Sequence, residues 1–446
     1  MSSSWLRSRV VTVTHVDAGL DTAVADLVGR YVDRNPRSAE LFADAADVMP
    51  GGNTRSVLHY PPFPLYVERG DGCRVWDVDG HGYLDTVGEM SAGLYGHSHP
   101  VIRRAIERAV AGGLSPAGPT TAELELAAAI RRRFSSIELV RFTNSGTEAN
   151  LMALAVAAVH TGRRTVLAFD GGYHGGVLSF AHGVSPVNVP HQVVLAPFND
   201  LAATASVAAD RSDELAAIIV EPMQGSGGCI PGHPTFLAGL RNVADRTGAL
   251  LIFDEVMTSR LAPGGMQGAL GIRPDLTTLG KYLGGGMSFG AFGGRSDVMA
   301  RFDPRRADAL AHAGTFNNNV VSMAAGAAGL TEVYTIEEAR RLDERGDSLR
   351  QSLNERFERA GVAMCCTGTG SLLNLHPVAG AVRSIDDLHH ADQRRRDVVF
   401  YELLERGVYA SRRGFIALSL PFGDAEIAEL TDTISAIVDT HRTLLS

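Results

Sequence analysis

Residues 249–281 read ALLIFDEVMTSRLAPGGMQGALGIRPDLTTLGK. Two compact apolar runs, Ala249–Val256 and Leu276–Leu279, lack strict alternation, as expected of strands buried on both faces of a parallel sheet. The same pattern recurs upstream at Leu139–Thr143, Thr165–Asp170 and Ala216–Glu221, with helix-like segments such as Glu148–Thr161 and Pro234–Thr247 in between. Repeated βα units predict an open α/β sheet. Ligands on such sheets bind beyond the carboxyl ends of the strands, and polar groups gather there. Ser145-Gly146-Thr147 follows the first run and Gly171-Gly172-Tyr173-His174-Gly175 the second, Glu221 ends the third, and Asp254 and Lys281 close the quoted stretch.

Outward from this core, residues 1 to about 45 read as a polar helical lead-in, and the first fifteen, with arginines and no acid before Asp17, as a frayed tail. Met49-Pro50-Gly51-Gly52-Asn53 is a turn signal. From Leu65 the text LYVERGDGCRVWDVDGHGYLD predicts a small β-meander. Beyond about residue 335 the chain is charged and helical, then mixed α+β. The expected organisation is 1–99 as an N-terminal segment and meander belonging to a small domain, 100–335 as the large domain, and 336–446 as the C-terminal α+β part of the small domain.

The 446 residues carry 41 Lys plus Arg against 50 Asp plus Glu, a net charge of −9. That balance disfavours nucleic acid and anionic membranes as partners. No apolar run reaches the ~18–20 residues of a membrane span, and the N-terminus does not read as a secretory signal. Cys73, Cys229, Cys365 and Cys366 form no C-x-x-C pair and read as free cytosolic thiols, with no metal site expected.

Lys281 is the single lysine of the chain; the other basic residues are arginines. A lysine amine, unlike a guanidinium, can lose its proton when desolvated and then act as nucleophile or base. Ser145 can cap a helix with Glu148 completing a capping box, and such a helix start can hold a phosphate; an ordinary capped helix reads the same way. Asp254 ends a strongly apolar strand, where a carboxylate needs a cationic or hydrogen-bonding partner. Tyr173, between glycines, could stack on a flat ligand or plug the core. Thr367-Gly368-Thr369-Gly370-Ser371 lacks the third glycine of a dinucleotide fingerprint. An amine, a buried carboxylate, a phosphate-type helix start and a stacking aromatic are together the requirements of a pyridoxal phosphate site.

At this point the sequence resembles the class III aminotransferases, which are fold-type I pyridoxal phosphate enzymes, through NSGTEAN, GGYHG, VEPMQG, LIFDEVMTSR, PDLTTLGKYLGGG and HAGTFNNN, from about Met49 to the C-terminus. MPGG, DEVMTSR and TTLGK are similar to glutamate-1-semialdehyde 2,1-aminomutases. MPGGNTRSVL (49–58), RFTNSGTEANLMAL (141–154), GGYHGGVL (171–178) and GGGMSFGAFGGR (284–295) are closer still to bacterial β-amino acid aminotransferases of the β-phenylalanine type. The resemblance implies an α/β fold, a large domain with a mostly parallel central sheet plus a smaller α+β domain, in a cytoplasmic enzyme. It implies Lys281 as Schiff-base lysine and Asp254 as partner of the pyridine nitrogen. Ser145, Gly146 and Thr147 would hold the phosphate, with Tyr173 and Val256 on the two ring faces and Glu221 nearby. Thr315 would reach the cofactor of a second subunit, making a homodimer with shared sites. Arg55 and Arg413 resemble the pair that binds substrate carboxylates, with Arg412 a competitor for Arg413, and Val57 and Met90 would line the substrate pocket. Met90 stands where an aromatic residue is usual. The implied reaction moves the amino group of an aromatic β-amino acid to a 2-oxo acid such as 2-oxoglutarate or pyruvate. The alternatives are the aminomutase reaction and a non-catalytic cofactor-binding homologue.

Overall fold

The apolar runs form strands because neither face of the sheet they build meets water. The computed structural model describes residues 15–181 and 183–446; residues 1–14, with most of the expected tail, lie outside them. Among the described residues seven strands make the central sheet: β1 Leu139–Thr143, β2 Thr165–Phe169, β3 Gln192–Ala196, β4 Leu215–Val220, β5 Leu250–Asp254, β6 Leu276–Gly280 and β7 Gly290–Gly294. They lie in the order β1-β7-β6-β5-β4-β2-β3. Pairing is parallel from β6 through β3, whereas β7 runs antiparallel to β6 and to β1. Strands β2, β4, β5 and β6 are buried at every position, which accounts for their unalternating sequence.

Two of these strands escaped the sequence reading. β3 is a short run at the sheet edge, half-buried at most positions. β7 reads Gly-Ala-Phe-Gly-Gly, and glycine is depleted in strands. Its glycines serve close approach instead. A Cβ on Gly290 would fall 2.1 Å from the carbonyl oxygen of Ser145, and one on Gly294 2.1 Å from that of Asp275.

The helix after β1 runs Gly146–Thr161 and closes on Gly162 at φ 69°, a left-handed C-cap that favours glycine. Ser145 Oγ accepts from Glu148 N at 3.2 Å, as expected. The other half of the expected capping box is displaced by one residue. The Glu148 carboxylate accepts from the backbone and side-chain amides of Asn144, at 2.8 and 3.2 Å.

The lead-in folds as helices His15–Arg34 and Pro36–Ala46. The meander forms strands Val67–Asp71, Arg74–Asp77 and Gly82–Asp85, and Val408–Tyr409 joins it in parallel beside the third. The two ends of the chain therefore share one sheet. Cys365–Thr369 and Leu372–His376 form an antiparallel hairpin completed by Phe415–Ala417. The TGTGS segment is thus a strand and its turn. All four cysteines are free and buried, and no helix among the described residues is long and apolar enough to cross a membrane.

Candidate active site

The carboxyl ends of β1, β2, β4, β5 and β6 converge on one edge, and Asp254 is the best-anchored group there. Its Oδ2 accepts from Asn150 Nδ2 at 2.8 Å and lies 2.7 Å from His174 Nδ1; its Oδ1 accepts from Val256 N at 3.0 Å and from Thr278 Oγ1 at 3.3 Å. Asn150 also donates to the His174 carbonyl and accepts from Thr278 Oγ1, at 2.9 and 2.7 Å. Burial disfavours the His174 imidazolium, yet the hydrogen bond and charge of Asp254 outweigh it and raise the His174 pKa. In the sequence His174 is one polar residue of the loop after the second strand with nothing to mark its role, and Thr278 carries no signal of its own. Asn150 carried a signal: it is an amide amid the apolar stretch NLMALAVAAV.

Lys281 stands at φ 56°, a left-handed backbone that a non-glycine residue adopts at a cost. Its Nζ donates to Met90 O at 2.8 Å and to Ser91 Oγ at 2.9 Å. Burial pulls its pKa down to about 8, against the charges of Glu221 and Asp254. Glu221 accepts from Tyr173 N at 2.8 Å and Gly225 N at 3.1 Å, and burial lifts its carboxyl to about 7.

The helix start after β1 faces Val256. A Cβ on Gly146 would fall 2.7 Å from Val256 Cγ2, and one on Gly280 3.1 Å from Val256 Cγ1. Gly175, at φ 130°, lies against Thr147, where a Cβ would fall 2.2 Å from Oγ1. Glycines therefore bring the phosphate-type loop, Val256 and the Tyr173 loop together. Tyr173 is 43% exposed, so it does not plug the core. Burial raises its phenol pKa, together with Glu221, while the charges of Arg413 and Arg55 oppose the rise.

Arg55 forms an ion pair with Glu89 at the surface. Arg412 is engaged by Asp397 through two hydrogen bonds of 2.7 and 2.9 Å. Arg413 Nη1 donates to Ser226 Oγ at 3.3 Å and makes no ion pair among the described residues. Of the two competitors, Arg413 has the freer fork. Met90 packs with the apolar group of Met223, Met257, Met266 and Phe415. Val57 lies in the short Ser56–Leu58 turn beyond Arg55. Thr315 is exposed and is not brought to Ser145 within the chain, although Asn317, two residues on, accepts from Asn144 Nδ2 at 3.0 Å.

The family model for aminotransferase class-III matches residues 57–438. The chain belongs to this family. It is 54% identical over 434 residues to the beta-phenylalanine transaminase of Variovorax paradoxus, covering 97% of this chain and 99% of that protein. The solved beta-phenylalanine aminotransferase from Variovorax paradoxus superposes with a TM-score of 0.93 over 95% of this chain and 98% of its own. A glutamate-1-semialdehyde 2,1-aminomutase of Sorangium cellulosum is 40% identical over 84% of this chain and 90% of its own. This class-III aminotransferase is therefore a fold-type I pyridoxal phosphate enzyme that passes an amino group from a donor to a keto acid. Its residues fit that cofactor. The first-turn N–H groups of the Gly146 helix have no carbonyl partner within the helix and suit a phosphate. The anchored Asp254 suits a protonated ring nitrogen, and the bare Cα atoms of Gly146 and Gly280 let Val256 lie directly against the helix start.

Proposed function

We propose that this class-III aminotransferase takes the amino group from a β-amino acid, with an aromatic one of the β-phenylalanine kind preferred, and gives it to a 2-oxo acid such as 2-oxoglutarate or pyruvate. The observation that carries the reading is a pair of separate cations: Arg413, whose side chain donates to Ser226 Oγ and makes no ion pair among the described residues, and Arg55, paired with Glu89 next to the Met90 carbonyl that accepts from Lys281. A guanidinium binds a carboxylate through two parallel hydrogen bonds. Two separately placed forks allow one pocket to seat a carboxylate at either of two distances from the reacting carbon. The 54% identity to a beta-phenylalanine transaminase supports the same substrate class. Met90, with its adaptable thioether chain, forms an apolar wall for the donor's side chain, and Val57 lines the entrance.

In this reading Lys281 Nζ is the covalent attachment point of the cofactor. Ser145, Gly146 and Thr147 hold its phosphate, Tyr173 and Val256 cover its two faces, and Asp254 keeps its ring nitrogen protonated. When bound, pyridoxal phosphate supplies a carbonyl for amines and a ring that takes up electrons. Lys281 Nζ, once free, takes the proton from the donor's amine-bearing carbon and passes it to the cofactor's carbonyl carbon rather than back to the donor. Glu221 holds the Tyr173 loop in place through the Tyr173 amide. The active unit is a cytoplasmic homodimer in which Thr315 completes the partner's phosphate site. Phe316 beside it, with Leu114 and Leu124 across the Asn318 contacts to Gly118 and Glu123, leaves apolar surface exposed that a second subunit would cover. Residues 100–335 form the cofactor domain, and the segments on either side form the small domain.

The test is a panel of β- and α-amino acids against 2-oxoglutarate and pyruvate. Consumption of β-phenylalanine mole for mole with an acceptor is expected. Turnover of glutamate 1-semialdehyde with no acceptor, and none of β-amino acids, would instead favour the aminomutase reaction.

A further inference from the structure

Residues Gly88 to Ser91 form a short left-handed turn, with φ of 50°, 49°, 52° and 76°. Three of the four are not glycine, and an L-residue adopts that region only at a cost. The surrounding structure holds the turn from behind. Arg260, fully buried, donates from Nη1 to the Ser91 carbonyl at 3.1 Å, from Nε to Ser371 Oγ at 3.2 Å, and from Nη2 to the Leu418 carbonyl. On its front the turn presents the Met90 carbonyl and the Ser91 hydroxyl to Lys281 Nζ. Ser91 is 0% exposed, so water does not reach it in competition.

A neutral primary amine has two N–H donors and one lone pair. With both donors engaged by Met90 O and Ser91 Oγ, the lone pair has one direction left to point. We propose that Ser91 is a positioning residue for Lys281: its hydroxyl and the Met90 carbonyl form a two-point rest that holds the free amine with its lone pair turned toward the reacting carbon. This rests on Lys281 being the reacting amine. The left-handed path of Gly88–Ser91 brings both acceptors to one nitrogen. The charged and titratable groups whose electrostatics act on Nζ include Glu221, Asp254, Cys229 and Arg260, and none of them supplies either of its two hydrogen bonds.

The experiment compares Ser91→Ala with Ser91→Gly. Both remove the hydroxyl, but glycine also relaxes the left-handed backbone, so a defect due to strain would separate them. The full-length protein, saturated with pyridoxamine phosphate, leaves Lys281 as a free amine. Because it is the only lysine, selective 13Cε-lysine labelling gives one signal whose pH midpoint is read by NMR. An acceptor stabilises the ammonium more than the amine, so its loss should lower the midpoint by about one unit in both variants. Although more of the amine is then deprotonated at neutral pH, kcat should fall about tenfold to a hundredfold, from misorientation, with KM for the donor nearly unchanged. A higher kcat, an unmoved midpoint, or a shift in Ser91→Ala that is absent in Ser91→Gly would overturn the proposal. If the wild type transaminated no amino acid, the functional reading would fail while the NMR comparison still reported on the contact.

Discussion

Lys281 and Asp254 do opposite work with burial. Desolvation brings the lysine amine to about pH 8, within reach of base chemistry, whereas Asp254 keeps its place through Asn150, His174, Thr278 and Val256. In the proposed mechanism the neutral amine is the base, and that form prevails above the pKa. The half-reaction that starts from the aminated cofactor, with Lys281 free, should therefore slow as pH falls through about 8, measured by single-turnover kinetics with the 2-oxo acid alone. Lys281→Ala should lose at least ~100-fold in turnover, and borohydride should no longer fix the cofactor to the chain; undiminished turnover would defeat the assignment. The arginines give a sharper comparison. Arg413→Ala should raise KM for β-amino acids and 2-oxo acids far more than for simple amines, whereas Arg412→Ala, which breaks the Asp397 contact, should affect all substrates alike. Lys281 and Asp254 were legible as residue types at strand ends. His174 and Asn150 were not, because a buried polar side chain shows its purpose only through its partner.

At the scale of elements, glycine rather than any catalytic side chain shapes the site. β7 is a strand that sequence propensity hides, and its Gly290 lets the Ser145 loop lie against the sheet. Gly290→Ala should destabilise the fold by about 1–3 kcal/mol, since the obstacle is backbone and the sheet must part to admit a methyl group. Gly146→Ala meets the Val256 side chain instead, so it should weaken cofactor affinity more than thermal stability. Titrating cofactor into each variant, beside a melting curve, separates the two. Equal effects on both quantities for both variants would show that these glycines do not divide the work in this way. β2, β4, β5 and β6 were readable to within two residues because burial on both faces demands unbroken apolar sequence, and β1 was readable from its compact run before the Ser145 turn. β3 and β7 were not, one being an edge and the other glycine-rich.

Across the whole molecule, distant segments meet at the site. The Gly88–Ser91 turn follows the N-terminal meander, which pairs with Val408–Tyr409, and Arg260 ties that turn to Ser371 and Leu418. The proposed dimer extends this beyond one chain. If Thr315 serves the neighbouring site, mixing Lys281→Ala subunits with Thr315→Ala subunits should restore activity to about a quarter of the sites, because half the mixed dimers' sites are intact. Activity no higher than the sum of the two separate variants would place Thr315 outside the partner's site.

Composition and pattern alone determined the α/β class and the strand ends at which the single lysine and Asp254 stand, since burial and strand period leave direct traces in residue type. Only the folded chain decided that His174 and Asn150 hold Asp254, that Arg413 rather than Arg412 keeps its fork free, and that Ser91 meets Lys281. Those contacts join residues up to 190 positions apart, and no local rule of propensity or spacing relates groups that only tertiary packing brings within a hydrogen bond.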